Sequence, residues 1–359
     1  MDRPNIIVIL ADQMKATSSH LYGSDFCETP SLQRLADQGV LYKHAVTPHP
    51  LCVPARISFW TSQYPHTHGG RRNQTLMPAG ANHAFRHWKD AGYRTGLIGK
   101  NHCFTDRLDL DLFDVWCEIT HSGIPEWAEE TKGMDWFRPI ESIREAHTVR
   151  RNMPKVSRHF TYGESDYPLE DYSTGLVCGQ TVRFLEQLGQ DPFALWVSIP
   201  DPHTPYEAPV SYVDQFRPDD IEMPPHREDE YLDGTASERN RVLYEMIGMT
   251  DDTEQDKKGV VGVYHAMVRF LDDGVGLLHA RVGADPIAAL VRGATVGAAR
   301  LVLLRGRYAR LVRARAVRLE VRPGEVRHFV AEAAVRRAAG ARTRQRVASH
   351  AMYANLHAI

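Results

Sequence analysis

Leu51-Cys52-Val53-Pro54-Ala55-Arg56-Ile57-Ser58-Phe59-Trp60-Thr61-Ser62-Gln63-Tyr64-Pro65-His66-Thr67-His68-Gly69 sets a cysteine two residues before a proline and four before an arginine. Proline suits the first turn of a helix, where its missing N–H costs nothing. The free N–H groups of that turn and the helix dipole favour an anion. Cys52 is thus expected at the lip of a site suited to sulfate or phosphate, with Arg56 one turn along on the same face. A buried cysteine ahead of an ordinary amphipathic helix has the same spacing. The motif alone leaves both readings open.

Three apolar runs around it read as buried parallel strands. Residues 5–10 (NIIVIL) lead into Asp12 and Gln13, residues 95–98 (TGLI) into Lys100 and His102, and residues 193–199 (FALWVSI) into Asp201 and His203. Open α/β sheets bind ligands beyond the carboxyl ends of their strands. The three strand ends and Cys52 therefore form one candidate site. Helices are expected over 31–39 and 84–92, each closing on a glycine, and over 239–247 and 259–271. Residues 105–190 hold few clean strands and read as an insertion with loops over the active-site face.

The chain has 359 residues, 43% apolar and 25% charged, as ordinary globular proteins do. Five scattered cysteines (Cys27, Cys52, Cys103, Cys117, Cys178) argue against a disulfide framework and against a cysteine zinc site. The apolar run 6–11 is too short for a signal core or a membrane span, so a cytoplasmic location and no membrane partner are expected. The charge is uneven. Residues 274–359 hold 16 Arg, no Lys and 4 acidic residues, a net of +12, against −14 for residues 1–273. This divides the chain into 1–273 and an anomalous arginine-rich tail, 274–359. The tail has few aromatics and no nucleic-acid motif, so no nucleic-acid partner is expected.

The Cys52-x-Pro54-x-Arg56 stretch, with Tyr64-Pro65-His66-Thr67-His68-Gly69 after it, resembles the signature of the sulfatases in the alkaline-phosphatase-like superfamily. Thr61-Ser62-Gln63 stands where the family commonly shows Thr-Gly-x. Gly92-Tyr93-Arg94-Thr95 with Gly99-Lys100-Asn101-His102 resembles the second signature, and Pro202-His203-Thr204-Pro205-Tyr206 a third segment. Asp12-Gln13 resembles the Asp-Gln variant of choline-sulfatase-like and phosphonate-monoester-hydrolase-like members.

The resemblance implies an α/β sandwich with a central, mostly parallel sheet flanked by helices. It implies hydrolysis of small-molecule sulfate esters, with phosphonate or phosphate ester hydrolysis on the same scaffold as the alternative. Cys52 would be oxidised to formylglycine by a formylglycine-generating enzyme. Asp12, Gln13 and Cys52 would bind a divalent cation, Ca²⁺ first, with Mg²⁺ or Mn²⁺ as alternatives. Arg56 and Lys100 would bind sulfate oxygens. His102 would be the general base, and His203 would contact sulfate or protonate the leaving oxygen. Asn73 would touch substrate or simply cap a turn. His66 and His68 are expected to pack.

The resemblance stops near residue 276. Relatives continue with a strand ending in Asp followed by Asn or His, then a lysine. Here Asp285 is the sole aspartate after Asp273, and Lys258 is the last lysine. Asp272 and Asp273 fall inside the helix that precedes that strand. The tail has the composition of a GC-rich gene read out of frame. An incomplete C-terminal part, an unfilled sheet position, weak metal binding, impaired activity or a non-catalytic remnant are the resulting expectations.

Overall fold

The structure, a computed structural model, describes residues 4–104, 107–125, 131–154, 161–189, 191–223, 234–247, 253–282, 287–294 and 300–304. Its elements in order are β1 (Asn5–Asp12), α1 (Pro30–Gln38), β2 (Gly39–Leu41), α2 (Cys52–Thr61), α3 (Pro65–His68), α4 (Ala84–Asp90), β3 (Arg94–Gly99), α5 (Arg107–Leu110) and β4 (Val115–Cys117). They continue with α6 (Ile140–Arg151), β5 (Tyr162–Ser165), α7 (Ser173–Gln187), β6 (Phe193–Ile199), β7 (Tyr206–Pro209), α8 (Val210–Val213), α9 (Glu238–Ile247), α10 (Glu254–Val282), β8 (Ile287–Ala294) and β9 (Arg300–Leu304).

Seven strands form the main sheet in the order β2-β9-β8-β1-β6-β3-β4. β1 lies parallel between β6 and β8, and β3 pairs parallel with β6 and β4. β9 runs antiparallel to both its neighbours. Side chains alternate across a strand, so β1 and β6 feed two separate cores. Ile7, Ile9, Leu195 and Val197 pack with Leu32 and Leu35 of α1, Leu176 and Phe184 of α7, and Val263 to Leu278 of α10. Val8, Leu10 and Trp196 pack on the other face with Val53, Ile57 and Trp60 of α2 and Phe85 of α4. The result is a sheet covered on both faces, which explains why its strands are continuous apolar runs rather than alternating ones.

Residues 105–190, expected to hold few clean strands, carry the short strands β4 and β5 and the helices α5, α6 and α7. A three-residue strand is too short to show a period, and Gly175 and Gly179 lower the helix propensity of α7. The sheet position beside β1 is also not vacant, because β8 fills it in register from Asn5↔Ile287 to Asp12↔Ala294. Its run Ile287-Ala288-Ala289-Leu290-Val291 suits a parallel strand, but alanine's low strand preference hides it. Gly293 and Ala294 stand level with Ala11 and Asp12. Neither residue type is a metal ligand.

α10 runs unbroken through residue 274. Inside it, Asp272 is fully buried and accepts the N–H groups of Ser31 (2.9 Å) and Leu32 (2.8 Å), capping α1. That carboxylate is committed to the fold. The tail beyond Leu304 lies outside the described residues. Among them no helix is long and apolar enough to cross a membrane.

Candidate active site

Four chain segments meet at the carboxyl ends of β1, β3 and β6. β1 delivers Asp12 at its last residue, and the next residue, Gln13, takes a left-handed φ of 61°. β3 ends at Gly99, whose φ is 104° and where a Cβ would lie 1.9 Å from the Ser198 carbonyl oxygen. Only glycine fits there, and the turn it permits aims Lys100 into the cleft. His102 follows with a φ of 58°, a conformation most non-glycine residues avoid. α2 begins at Cys52, and Asn73 Oδ1 accepts the Val53 N–H at 3.2 Å. Asn73 therefore fixes the start of α2.

Asp12 is the hub. Lys100 Nζ is ion-paired with its Oδ2. Cys52 Sγ donates to Oδ1 at 3.3 Å, and Arg56 Nη2 lies 3.7 Å from the same oxygen. Ligand atoms of Asp12, Cys52 and His203 lie within 4.8 Å of one another. Arg56 is 1% exposed, and its Nη1 donates to the carbonyls of Lys100 (2.8 Å) and Asn101 (3.4 Å) and to Ser198 Oγ (2.8 Å). Its Nε and Nη2 are buried without a hydrogen-bond partner. Unmet buried donors on a guanidinium are costly unless an acceptor arrives.

Charge follows from this packing. Burial acts to raise the Asp12 carboxyl, but Lys100 and Arg56 outweigh it and hold the group well below the usual carboxylate range. Burial, then the Asp12 carboxylate, push the Cys52 thiol up to about 11. Burial, then Lys100 and Arg56, push His102 down to about 3. Burial, then Lys100, push His203 down to about 4. Both imidazoles are neutral at pH 7, so each keeps one nitrogen as a hydrogen-bond acceptor. His203 Nδ1 faces the Thr204 carbonyl oxygen at 2.6 Å. A carbonyl only accepts, so the ring proton is on Nδ1 and Nε2 is the acceptor.

Asp12→Ala should lose about 3–5 kcal/mol of stability, because it strands two buried cations. Asp12 binds its proton only in strong acid, so its contribution persists above the ordinary carboxylate range and fades as pH falls through the depressed value. Thermal unfolding of the variant should show the loss, with partial recovery in millimolar sulfate as an anion replaces the carboxylate.

The structure thus brings together Asp12, Cys52, Arg56, Lys100 and His203 by contact, and His102 by its electrostatic coupling to Lys100, Arg56 and Asp12. Gln13 is held at the rim by its backbone, whose carbonyl accepts from the Tyr264 hydroxyl at 2.7 Å. His68 packs, bonded to Ser58 Oγ at 2.8 Å. His66 stacks on Tyr64.

Two residues carried no sequence signal. His121 stacks on His203 with centroids 4.3 Å apart. Arg150, on α6, donates to Asp201 Oδ1 (2.9 Å) and to the carbonyls of His203 (3.0 Å) and Pro205 (3.1 Å). Neither lies in a motif, and only the folded path of the chain joins them to the site.

A family model described as Sulfatase matches residues 4–286. The chain belongs to the sulfatase family. An arylsulfatase from Clostridium perfringens is 27% identical over 242 residues, covering 62% of this sulfatase-family chain and 48% of that protein. A choline-sulfatase from Rhizobium meliloti is 26% identical over 294 residues, covering 77% of this chain and 53% of that one. The chain spans about half the length of these curated relatives. A phosphonate monoester hydrolase from Silicibacter pomeroyi superposes with a TM-score of 0.65 at 20% identity, over 85% of this chain and 68% of that one. At that identity the likeness shows a shared fold alone.

Ca²⁺ takes six to eight oxygens, commonly from more than one carboxylate. The cluster offers one carboxylate, already shared by an ammonium and a guanidinium. Among the described residues the donor set fits an anion and does not by itself fit such a cation.

Proposed function

We propose that this chain hydrolyses sulfate esters of small molecules, with residues 1–273 as the catalytic region. The observation that carries the reading is the pair of buried Arg56 donors, Nε and Nη2, that make no hydrogen bond, beside Lys100 and at the helix start that bears Cys52. A guanidinium fork, an ammonium and a helix N-terminus together match a tetrahedral oxyanion. The cysteine as encoded is a poor nucleophile: with its thiol near 11, only about 1 in 10⁴ molecules carries the thiolate at pH 7. Formylglycine at this position, when hydrated, would supply two geminal hydroxyls: one to attack sulfur as the S–O bond to the alcohol breaks and the alcohol leaves, and one whose deprotonation would re-form the aldehyde and expel sulfate.

The chain's own groups then divide the work. Arg56 and Lys100 bind the non-bridging oxygens and offset the charge that grows on them. His102, with its buried Nδ1 unpartnered, takes the hydroxyl proton. His203 presents the Nε2 acceptor, held in orientation by Thr204. Asp12 keeps both cations in place; with Gln13 and Cys52 it would also have to hold the divalent cation that the family generally uses, Ca²⁺ in our reading, and one carboxylate would hold it weakly. Asn73 acts through the start of α2. The presence of Lys100 favours sulfate over phosphonate esters, because relatives acting on phosphonates often lack that lysine.

Coexpression with a formylglycine-generating enzyme should convert the Cys52 thiol to an aldehyde, read by mass spectrometry of its peptide. The converted protein should turn over 4-nitrophenyl sulfate faster than an aryl phosphonate. Calcium titration should show weak binding and turnover well below that of an intact sulfatase. An unmodified cysteine under these conditions, or preference for the phosphonate, would count against the reading.

A further inference from the structure

His121 has a defined place in the cleft and no task so far. Its ring stacks on His203 at 4.3 Å between centroids and 21° between planes. Its Nδ1 lies 3.4 Å from Lys100 Nζ. An ammonium has only hydrogens to offer, so Nδ1 accepts and the ring proton is on Nε2. His203 is set the opposite way, with its proton on Nδ1 toward the Thr204 carbonyl. The stacked rings thus present one N–H donor and one acceptor. The His121 Nε2–H has no hydrogen-bond partner among the described residues, and its side chain is half-buried.

We propose that His121 is a further catalytic residue, whose Nε2–H hydrogen-bonds the bridging oxygen of the bound sulfate ester. The proposal rests on the sulfate-ester reading. In-line displacement puts the departing oxygen on the side of sulfur away from the nucleophile. His121 contacts Lys100 and His203, which face Asp12, and it makes no hydrogen bond to Cys52. As the S–O bond to the leaving group breaks, its electron pair stays on the departing oxygen. His121 shares its proton with that oxygen without giving it up, and the alkoxide or phenoxide takes its proton from water. A neutral imidazole N–H fixed in advance meets the developing charge without reorganisation.

Binding tests this on full-length Cys52→Ala protein, which does not turn over. The probes are inorganic sulfate, phenyl sulfate and N-phenyl sulfamate, whose bridging N–H puts a donor where the ester has an acceptor. Calorimetry should show phenyl sulfate bound about tenfold more tightly than the sulfamate, because two donors would face each other. Adding His121→Phe, which keeps the stack and removes the donor, should bring that ratio near one. His121→Gln, which keeps an N–H, should retain part of it and guards against a misfolded phenylalanine variant. Sulfate affinity should be alike in all three proteins. A ratio near one in the parent, or one unchanged by His121→Phe, overturns the role of His121 while sulfate binding leaves the anion site standing. Binding of none of the three anions overturns both. In the converted enzyme, His121→Phe should slow phenyl sulfate, the poorer leaving group, more than 4-nitrophenyl sulfate. Equal losses on both would also overturn the proposal.

Discussion

Arg150→Met is expected to destabilise the protein by roughly 3–5 kcal/mol, the usual consequence of removing one partner from a buried ion pair. Arg150 is 2% exposed and faces Asp201 and Glu207, which are 4% and 3% exposed. It donates to Asp201 Oδ1 at 2.9 Å, and its Nε lies 4.0 Å from Glu207 Oε2. The same guanidinium holds the carbonyls of His203 and Pro205. Asp201 in turn accepts the Thr174 N–H and hydroxyl, and its carbonyl accepts the Asp12 N–H at 3.1 Å. Methionine fills the volume and leaves both carboxylates without a cation.

The loss should depend on pH in a defined direction. Burial raises the Glu207 carboxyl and Arg150 opposes that rise. Without Arg150 the folded value climbs further above the unfolded one. The variant then keeps most of its stability below the unfolded value and loses it as pH rises through the folded one. Denaturant titrations at acid and neutral pH should show the gap to wild type widening toward neutrality. A gap that does not change with pH would mean that the missing hydrogen bonds, rather than the stranded charges, set the cost. Because Arg150 also orders the His203 loop, the variant should lose activity at temperatures where it is still folded.

Cys52→Ala is expected to reduce turnover of aryl sulfate by on the order of 10⁴-fold or more, the scale seen when a covalent nucleophile is removed. Stability should change little, by about 1 kcal/mol at most, because the side chain gives up one sulfur hydrogen bond at 3.3 Å to Asp12. Sulfate affinity should persist, since Arg56 and Lys100 are untouched. Kinetics and calorimetry on one preparation separate the two effects. A variant that keeps a tenth of the parent rate would remove Cys52 from the chemistry.

The sequence alone determined the sheet centre and most of the candidate cleft. Buried parallel strands must be apolar on both faces, so residues 5–10, 95–98 and 193–199 were legible as uninterrupted runs. The polar residues just past each run could only lie at strand ends, where Asp12, Lys100 and His203 are found. The proline two residues after Cys52 marked the start of α2 without any coordinates.

Tertiary structure alone decided the rest. β8 is an alanine-rich strand whose place is set by its pairing with β1, not by its own preference. Asp272 was legible only as a residue inside a helix, and it is a cap for α1 because the packing of α10 on α1 brings it there. His121 and Arg150 act through partners 82 and 53 residues away in sequence, His203 in both cases. No local pattern encodes such distances. Charge is likewise a property of the fold: burial and the neighbouring Asp12 carboxylate raise the Cys52 thiol, whereas Lys100 and Arg56 lower the Asp12 carboxyl. A sequence names these groups, and only their packing sets which of them carries a proton.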